Sequence, residues 1–225
     1  MIFRRKSKGT ENEPSGSPDA VDSEAAVTDE GTAEPGGPYD VTEVDAATLE
    51  DDRIDLGGLV ISALPGMELR LQVDEQTGEV QAVLLVLGDS ALELRAFAAP
   101  KTAGIWSDVR REIAAEATRM GGTASAQEGP FGTELVLVVP VEGPDGKMFS
   151  QTSRVLGVDG PRWMLRGTVL GRAGAEADAA KPLEDAFRDV VVVRGNEPMA
   201  PREPLSLRLP AGAEPADPDA DPDPA

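Results

Sequence analysis

The sequence predicts an α+β domain: a mostly antiparallel sheet of about seven or eight strands with two amphipathic helices, in the order ββββαβββα. Three observations carry this. Short segments with apolar residues at every second position recur along the middle of the chain, separated by glycine- and proline-rich turns. Two segments repeat apolar residues at three- and four-residue steps, as a helix face does. The helical segments follow runs of strands and do not alternate with them, which argues against a doubly wound parallel sheet.

The first strand region is Ile54–Ile61, where Gly57-Gly58 predicts a bulge within a strand. Pro65-Gly66 marks a turn. Met67-Glu68-Leu69-Arg70-Leu71-Gln72-Val73 then alternates strictly, as expected of a strand with one wet face. Val80–Leu87 is more continuously apolar, like a central strand, and Ala91–Phe97 alternates again. Four such segments with short links predict a meander. Ile105, Trp106, Val109, Ile113, Ala117 and Met120 fall on one helical face, and Gly121-Gly122 supplies a stop. Strands resume at 134–141, 150–158 and 162–170, the last two joined by Asp159-Gly160-Pro161 with Gly160 free to take positive φ. A second helix is predicted over 179–190, with Leu183, Ala186, Phe187 and Val190 as its stripe and Pro182 tolerated in its first turn. Val191–Val193 is a candidate eighth strand.

Composition sets the boundaries. The chain has 225 residues and a formal net charge of −20. Residues 1–50 hold twelve acidic and four basic side chains, residues 211–225 five acidic and none basic, and the middle twenty-four against seventeen. Most of the segment 1–50 and all of 211–225 are poor in large apolar residues, which predicts disordered acidic tails. The expected organisation is therefore an acidic tail at 1–50, the domain at 51–196, an extended proline-rich arm at 197–210 packed on it, and a second acidic tail at 211–225. A net-acidic chain is repelled by a phosphate backbone, so double-stranded nucleic acid is not an expected partner. No apolar run is long enough to span a membrane, and none follows Arg4-Arg5-Lys6-Ser7-Lys8 as a secretory signal requires. A cytoplasmic location is the resulting expectation.

The chain contains no cysteine and no histidine. Disulfides, thiolate chemistry, Ser-His-Asp triads and the usual zinc sites are thereby excluded within it. Paired acids such as Asp74-Glu75 and Glu184-Asp185 are placed on a loop and a helix surface, where neighbours do not converge on one target. The Asp217–Pro224 run lacks the glycine and terminal glutamate of a calcium loop. No metal ligand, catalytic residue or cofactor is expected, which weighs against an enzyme and leaves the question open.

The most distinctive stretch is Gly157-Val158-Asp159-Gly160-Pro161-Arg162-Trp163-Met164-Leu165-Arg166-Gly167. Together with Ile54–Leu59, Pro65–Leu69, Val190-Val191-Val192-Val193-Arg194-Gly195 and a lead-in Gly37-Pro38-Tyr39-Asp40, it resembles an actinobacterial family of domains of unknown function often encoded beside dUTP pyrophosphatase. The resemblance covers about residues 39–210 and implies a cytoplasmic actinobacterial protein. It brings no activity, ligand or catalytic residue.

Three functions are weighed. The first is a non-enzymatic binding or scaffold domain that recognises a protein partner, with Leu205, Leu207 and Leu209 alternating along the arm as candidate contacts. In that reading the arm adds a strand and holds a place another peptide can take. The second is a small-anion or nucleotide binder in which Arg162 and Arg166 share one sheet face, joined by Arg154 or Arg194. Structural ion pairs with the domain's many acids are the plainer reading of these arginines. The third is a carboxylate-metal hydrolase. Trp106 and Trp163 are expected to fill the core of an aromatic-poor domain. Oligomeric state is left open.

Overall fold

The computed structural model describes residues 36–45, 49, 53–74, 76–143 and 146–210. Of the acidic tails expected at 1–50 and 211–225, residues 1–35, 46–48, 50 and 211–225 lie outside the described residues. Eleven strands and two α-helices are described: β1 (Tyr39–Asp40), β2 (Arg53–Asp55), β3 (Leu59–Ser62), β4 (Glu68–Val73), β5 (Val80–Leu87), β6 (Ser90–Ala98), α1 (Trp106–Arg119), β7 (Thr123–Gly129), β8 (Gly132–Glu142), β9 (Met148–Gly160), β10 (Trp163–Gly171), α2 (Ala177–Arg188) and β11 (Val191–Val192). The fold is α+β and mostly β, as predicted.

Seven strands form one antiparallel sheet in the order β4-β5-β6-β10-β9-β8-β7. The other four form a small sheet, β1-β11-β3-β2, in which only β1 and β11 run parallel. Because side chains alternate across a strand, the registers sort the large sheet into two faces. Leu85, Leu92, Leu94, Leu165, Val169 and Leu156 share one face, covered by α2 and the small sheet in the larger core. Val155, Leu135, Leu137 and Met164 share the other face and pack under α1 with Trp106 and Ala117.

Three expectations need correction. The region Ile54–Ile61 is not one strand of the meander. It is a hairpin, β2–β3, in the second sheet, closed by the Leu56 N–H to Leu59 carbonyl bond at 2.9 Å. Gly57, at φ +83°, supplies the left-handed residue that makes the reversal possible. β7 falls where only a helix stop was expected, because Ala124 and Ala126 are the sole apolar side chains of its Thr123–Gly129 run. At the β9–β10 hairpin the positive φ belongs to Arg162, at +66°, and not to Gly160. Residues 36–45, inside the segment expected as tail, also enter the fold: Tyr39–Asp40 pairs with Val191–Val192 as β1.

The arm closes a gap in the large sheet. β5 pairs with β6 only from Val83 onward, leaving the far end of β6 without its neighbour. Residues 202–205 take that place: Arg202 N–H reaches Ala98 O at 2.8 Å, Ala98 N–H reaches Glu203 O at 2.8 Å, and Leu205 N–H reaches Ala96 O at 2.9 Å. Further along, Leu207 bridges both Val80 of β5 and Gly57 of the small sheet's hairpin. Gly58 N–H to Ser206 O and Arg208 N–H to Leu56 O complete the seam. A Cβ at residue 58 would press on Leu205 and the Ser206 carbonyl, so the second glycine serves the close approach of the arm.

Candidate functional site: the arm seam and an arginine face

The 157–167 stretch is largely a packing device. Gly157 leaves the space that the Trp106 ring fills, and Gly160 does the same for Trp163. Asp159 accepts the Ile105 N–H at 2.8 Å and the Trp106 N–H at 3.2 Å, capping α1 from a strand distant in sequence. Trp163 is 1 % exposed, and its indole N–H donates to the Asp40 carboxylate at 2.7 Å. Burial pushes the Asp40 carboxyl up. Hydrogen bonds from the Thr42 hydroxyl and N–H and from Trp163 outweigh that and hold it below the ordinary aspartate range. Gly167 admits Phe187 of α2. Both tryptophans thus serve the core.

The four arginines singled out from the sequence do not share a face. Arg154 stands opposite Val169, on the α2 side of the sheet, whereas Arg166 projects from the other side. Arg154 is fully engaged. Its Nε and Nη2 fork onto Glu134 at 2.8 Å each, and Nη1 meets Glu184 of α2 at 2.7 Å. Glu134 also accepts from Gln127 at 2.7 Å. The Glu134 hydrogen bonds hold Arg154 more firmly protonated than usual despite its burial. Arg194 lies just past β11, buried, with Nη1 on the Glu197 carbonyl at 3.1 Å and Nε without a partner. Arg162 sits at the hairpin tip, where its carbonyl accepts the Ala99 N–H at 2.8 Å.

Arg166 has a different neighbour, which the sequence did not disclose. The β6–β10 register sets it directly opposite Arg95. Glu93, two residues along β6, lies opposite Thr168 and is the carboxylate between them. It holds Arg95 Nε at 3.0 Å and Arg166 Nη2 at only 3.5 Å. The Arg166 guanidinium packs over Phe97, 5.6 Å from the ring centroid, and its Nε is buried without a partner. Burial, followed by the charge of Arg95, pushes Arg166 below the usual arginine range. Alternation along 91–97 foretold that Glu93, Arg95 and Phe97 share a face; only the register brings Arg166 to them.

On the arm, Leu205 is 4 % exposed and belongs to the main core, Leu207 packs against that core, and Leu209 is 46 % exposed. A groove runs between the arm and the outer strands, lined by Leu69, Leu71, Val80, Phe97, Leu207 and Leu209. β4 is the edge strand here, with no neighbour on its outer side among the described residues. Among the described residues, no cluster of three or more acidic side chains could hold a metal ion, and no helix is long and apolar enough to cross a membrane.

Comparison with curated proteins finds no match. A family model described as "Protein of unknown function (DUF3710)" matches residues 37–216, which begins at the lead-in to β1 and takes in the whole described fold and the arm. The chain belongs to that family of proteins of unknown function.

Proposed function

We propose that this domain is a non-enzymatic recognition module that takes an extended segment of a protein partner by strand addition at the seam its own arm fills. The observation that carries the reading is the way residues 202–208 are held. Backbone hydrogen bonds to Ala96, Ala98, Leu56 and Gly58 supply the affinity, and one side chain, Leu205, fills an apolar socket. That division of labour is the one strand-addition sites use, with main-chain bonds for affinity and alternate pockets for specificity. The gap between β5 and β6 is a feature of the domain, because β5 leaves β6 before the arm begins to pair. The β4 edge beside the groove offers further unpaired backbone groups. An actinobacterial origin and a cytoplasmic setting belong to the same proposal and rest on the sequence alone.

The test compares the full chain with a variant ending at residue 197. The shortened chain should bind an apolar-surface dye or self-associate. A synthetic peptide of residues 198–210 should reverse this, and partner segments captured by the shortened chain should compete with that peptide. A shortened chain with unchanged stability, dye binding and association state would refute the reading.

A further inference from the structure

We propose that Arg95 and Arg166, with Phe97 beneath, form a binding site for a small ligand bearing a forked oxyanion, a carboxylate or a phosphoryl group. The proposal does not rest on strand addition at the seam: Arg95 and Arg166 project from the sheet face opposite the main core, although Arg95 and Phe97 also line the groove beside the arm. Two observations carry it. First, like charges directly opposite one another on neighbouring strands destabilise a sheet, and here two arginines are cross-strand partners. A local rule broken in this way marks a place where something other than stability is being served. Second, the compensation is incomplete. One carboxylate, Glu93, faces two guanidiniums, leaving one net positive charge. It bonds Arg95 well and reaches Arg166 only at the limit of contact. The buried Arg166 Nε is left without an acceptor. This contrasts with Arg154, where a full set of carboxylate oxygens meets every edge of the guanidinium.

The surroundings suit an oxyanion on a compact body. On one flank Arg166 faces Arg95 and on the other Gly157, over which the Trp106 ring is seated. Leu84 stands opposite Glu93 on the next strand, giving an apolar floor beside the charged pair. A carboxylate, or two oxygens of a phosphoryl group, placed against Arg166 would accept from Nη2 and, once the side chain turns its buried Nε outward, from Nε as well, the forked geometry that arginine favours. In doing so it would displace the weak Glu93 contact and not the strong one. Glu93 is then a competitor for Arg166 as well as a support for Arg95.

That competition gives the test a sign. Side-chain Nε–H resonances of the full chain are followed while inorganic phosphate and, separately, acetate are added at constant ionic strength. Arg166 and Arg95 should shift saturably in the millimolar range, whereas Arg111, an exposed residue paired with Asp108, should not. Arg166→Gln and Arg95→Gln should each weaken binding at least tenfold, and Glu93→Gln should strengthen it several-fold. Saturation by phosphate alone assigns a phosphoryl ligand, and saturation by both ions a general oxyanion site. No saturation with either ion, equal movement of Arg111, or weaker binding by a folded Glu93→Gln protein would overturn the proposal. Should Glu93→Gln fail to fold, the wild-type titration and the two arginine variants decide it.

Discussion

Truncating Glu134 should cost this protein a large share of its stability without touching any binding surface. Glu134 is 2 % exposed, Arg154 11 % and Glu184 15 % in their side chains, so the three charges sit almost wholly out of water. Glu134→Ala removes both acceptors of the 2.8 Å fork and leaves Arg154 with one oxygen of Glu184. Breaking a buried ion pair by removing one partner costs about 3–5 kcal/mol, because the other charge is stranded. The remaining Glu184 contact places this case near the lower end. Folded domains of this size lose roughly 2–4 °C per kcal/mol, so a loss of about 3 kcal/mol corresponds to roughly 6–12 °C in Tm. Denaturant unfolding followed by tryptophan fluorescence measures it, since Trp106 and Trp163 belong to the two separate cores. Arg111→Ala, which removes an exposed pair, should stay within about 1 kcal/mol of wild type. The triple change Glu134→Leu, Arg154→Met, Glu184→Gln should recover most of the loss, because uncharged side chains of similar size need no counter-charge. A Glu134→Ala protein within about 1 kcal/mol of wild type would refute the assignment of Arg154 as a structural cation.

Two further outcomes follow from the arm and from Asp40. Leu205→Ala should destabilise by about 2–5 kcal/mol, as other buried leucine truncations do, and Leu209→Ala by well under 1 kcal/mol; thermal unfolding of the two variants gives the comparison. Asp40 is held below its ordinary pKa in the folded state, so its carboxylate stabilises the fold at pH above the unfolded value of about 3.9. That contribution is lost as pH falls through the folded pKa. The stability difference between wild type and Asp40→Asn should therefore be largest near neutrality and shrink below about pH 4, as measured by urea unfolding across pH.

Much of the fold is written in local patterns, and what is not written there has physical reasons. α1 and α2 were legible because large apolar residues recur at helical steps, β4 and β6 because theirs alternate, and β5 because its run is continuously apolar. β7 has only Ala124 and Ala126 as apolar side chains, the first half-buried and the second exposed, and β1 is two residues long, so neither rises above the polarity of its surroundings. Gly57-Gly58 reads as a bulge within a strand, and no local pattern marks the reversal found there. The arm's approach across Gly58 decides it, and that contact joins residues far apart in the chain. The arginine face failed for a related reason. Alternation assigns Met164 and Arg166 correctly to one side of β10, but Arg162 falls in the two-residue turn Pro161-Arg162, which also sets Val169 opposite Arg154 and sends Arg154 to the far side. The same kind of register, between β6 and β10, supplies Arg95, which no local pattern pairs with Arg166.

The central claim is that residues 202–208 act as the missing strand between β5 and β6. Amide hydrogen exchange at Ala98 tests it most directly, because that N–H donates to Glu203 of the arm. In the full chain Ala98 should be protected and should exchange through opening of the arm, at a free energy below that of the β6–β10 core amides. In the chain ending at 197 it should exchange rapidly while the Leu94 amide stays slow. Equal protection of Ala98 with and without the arm would contradict the account.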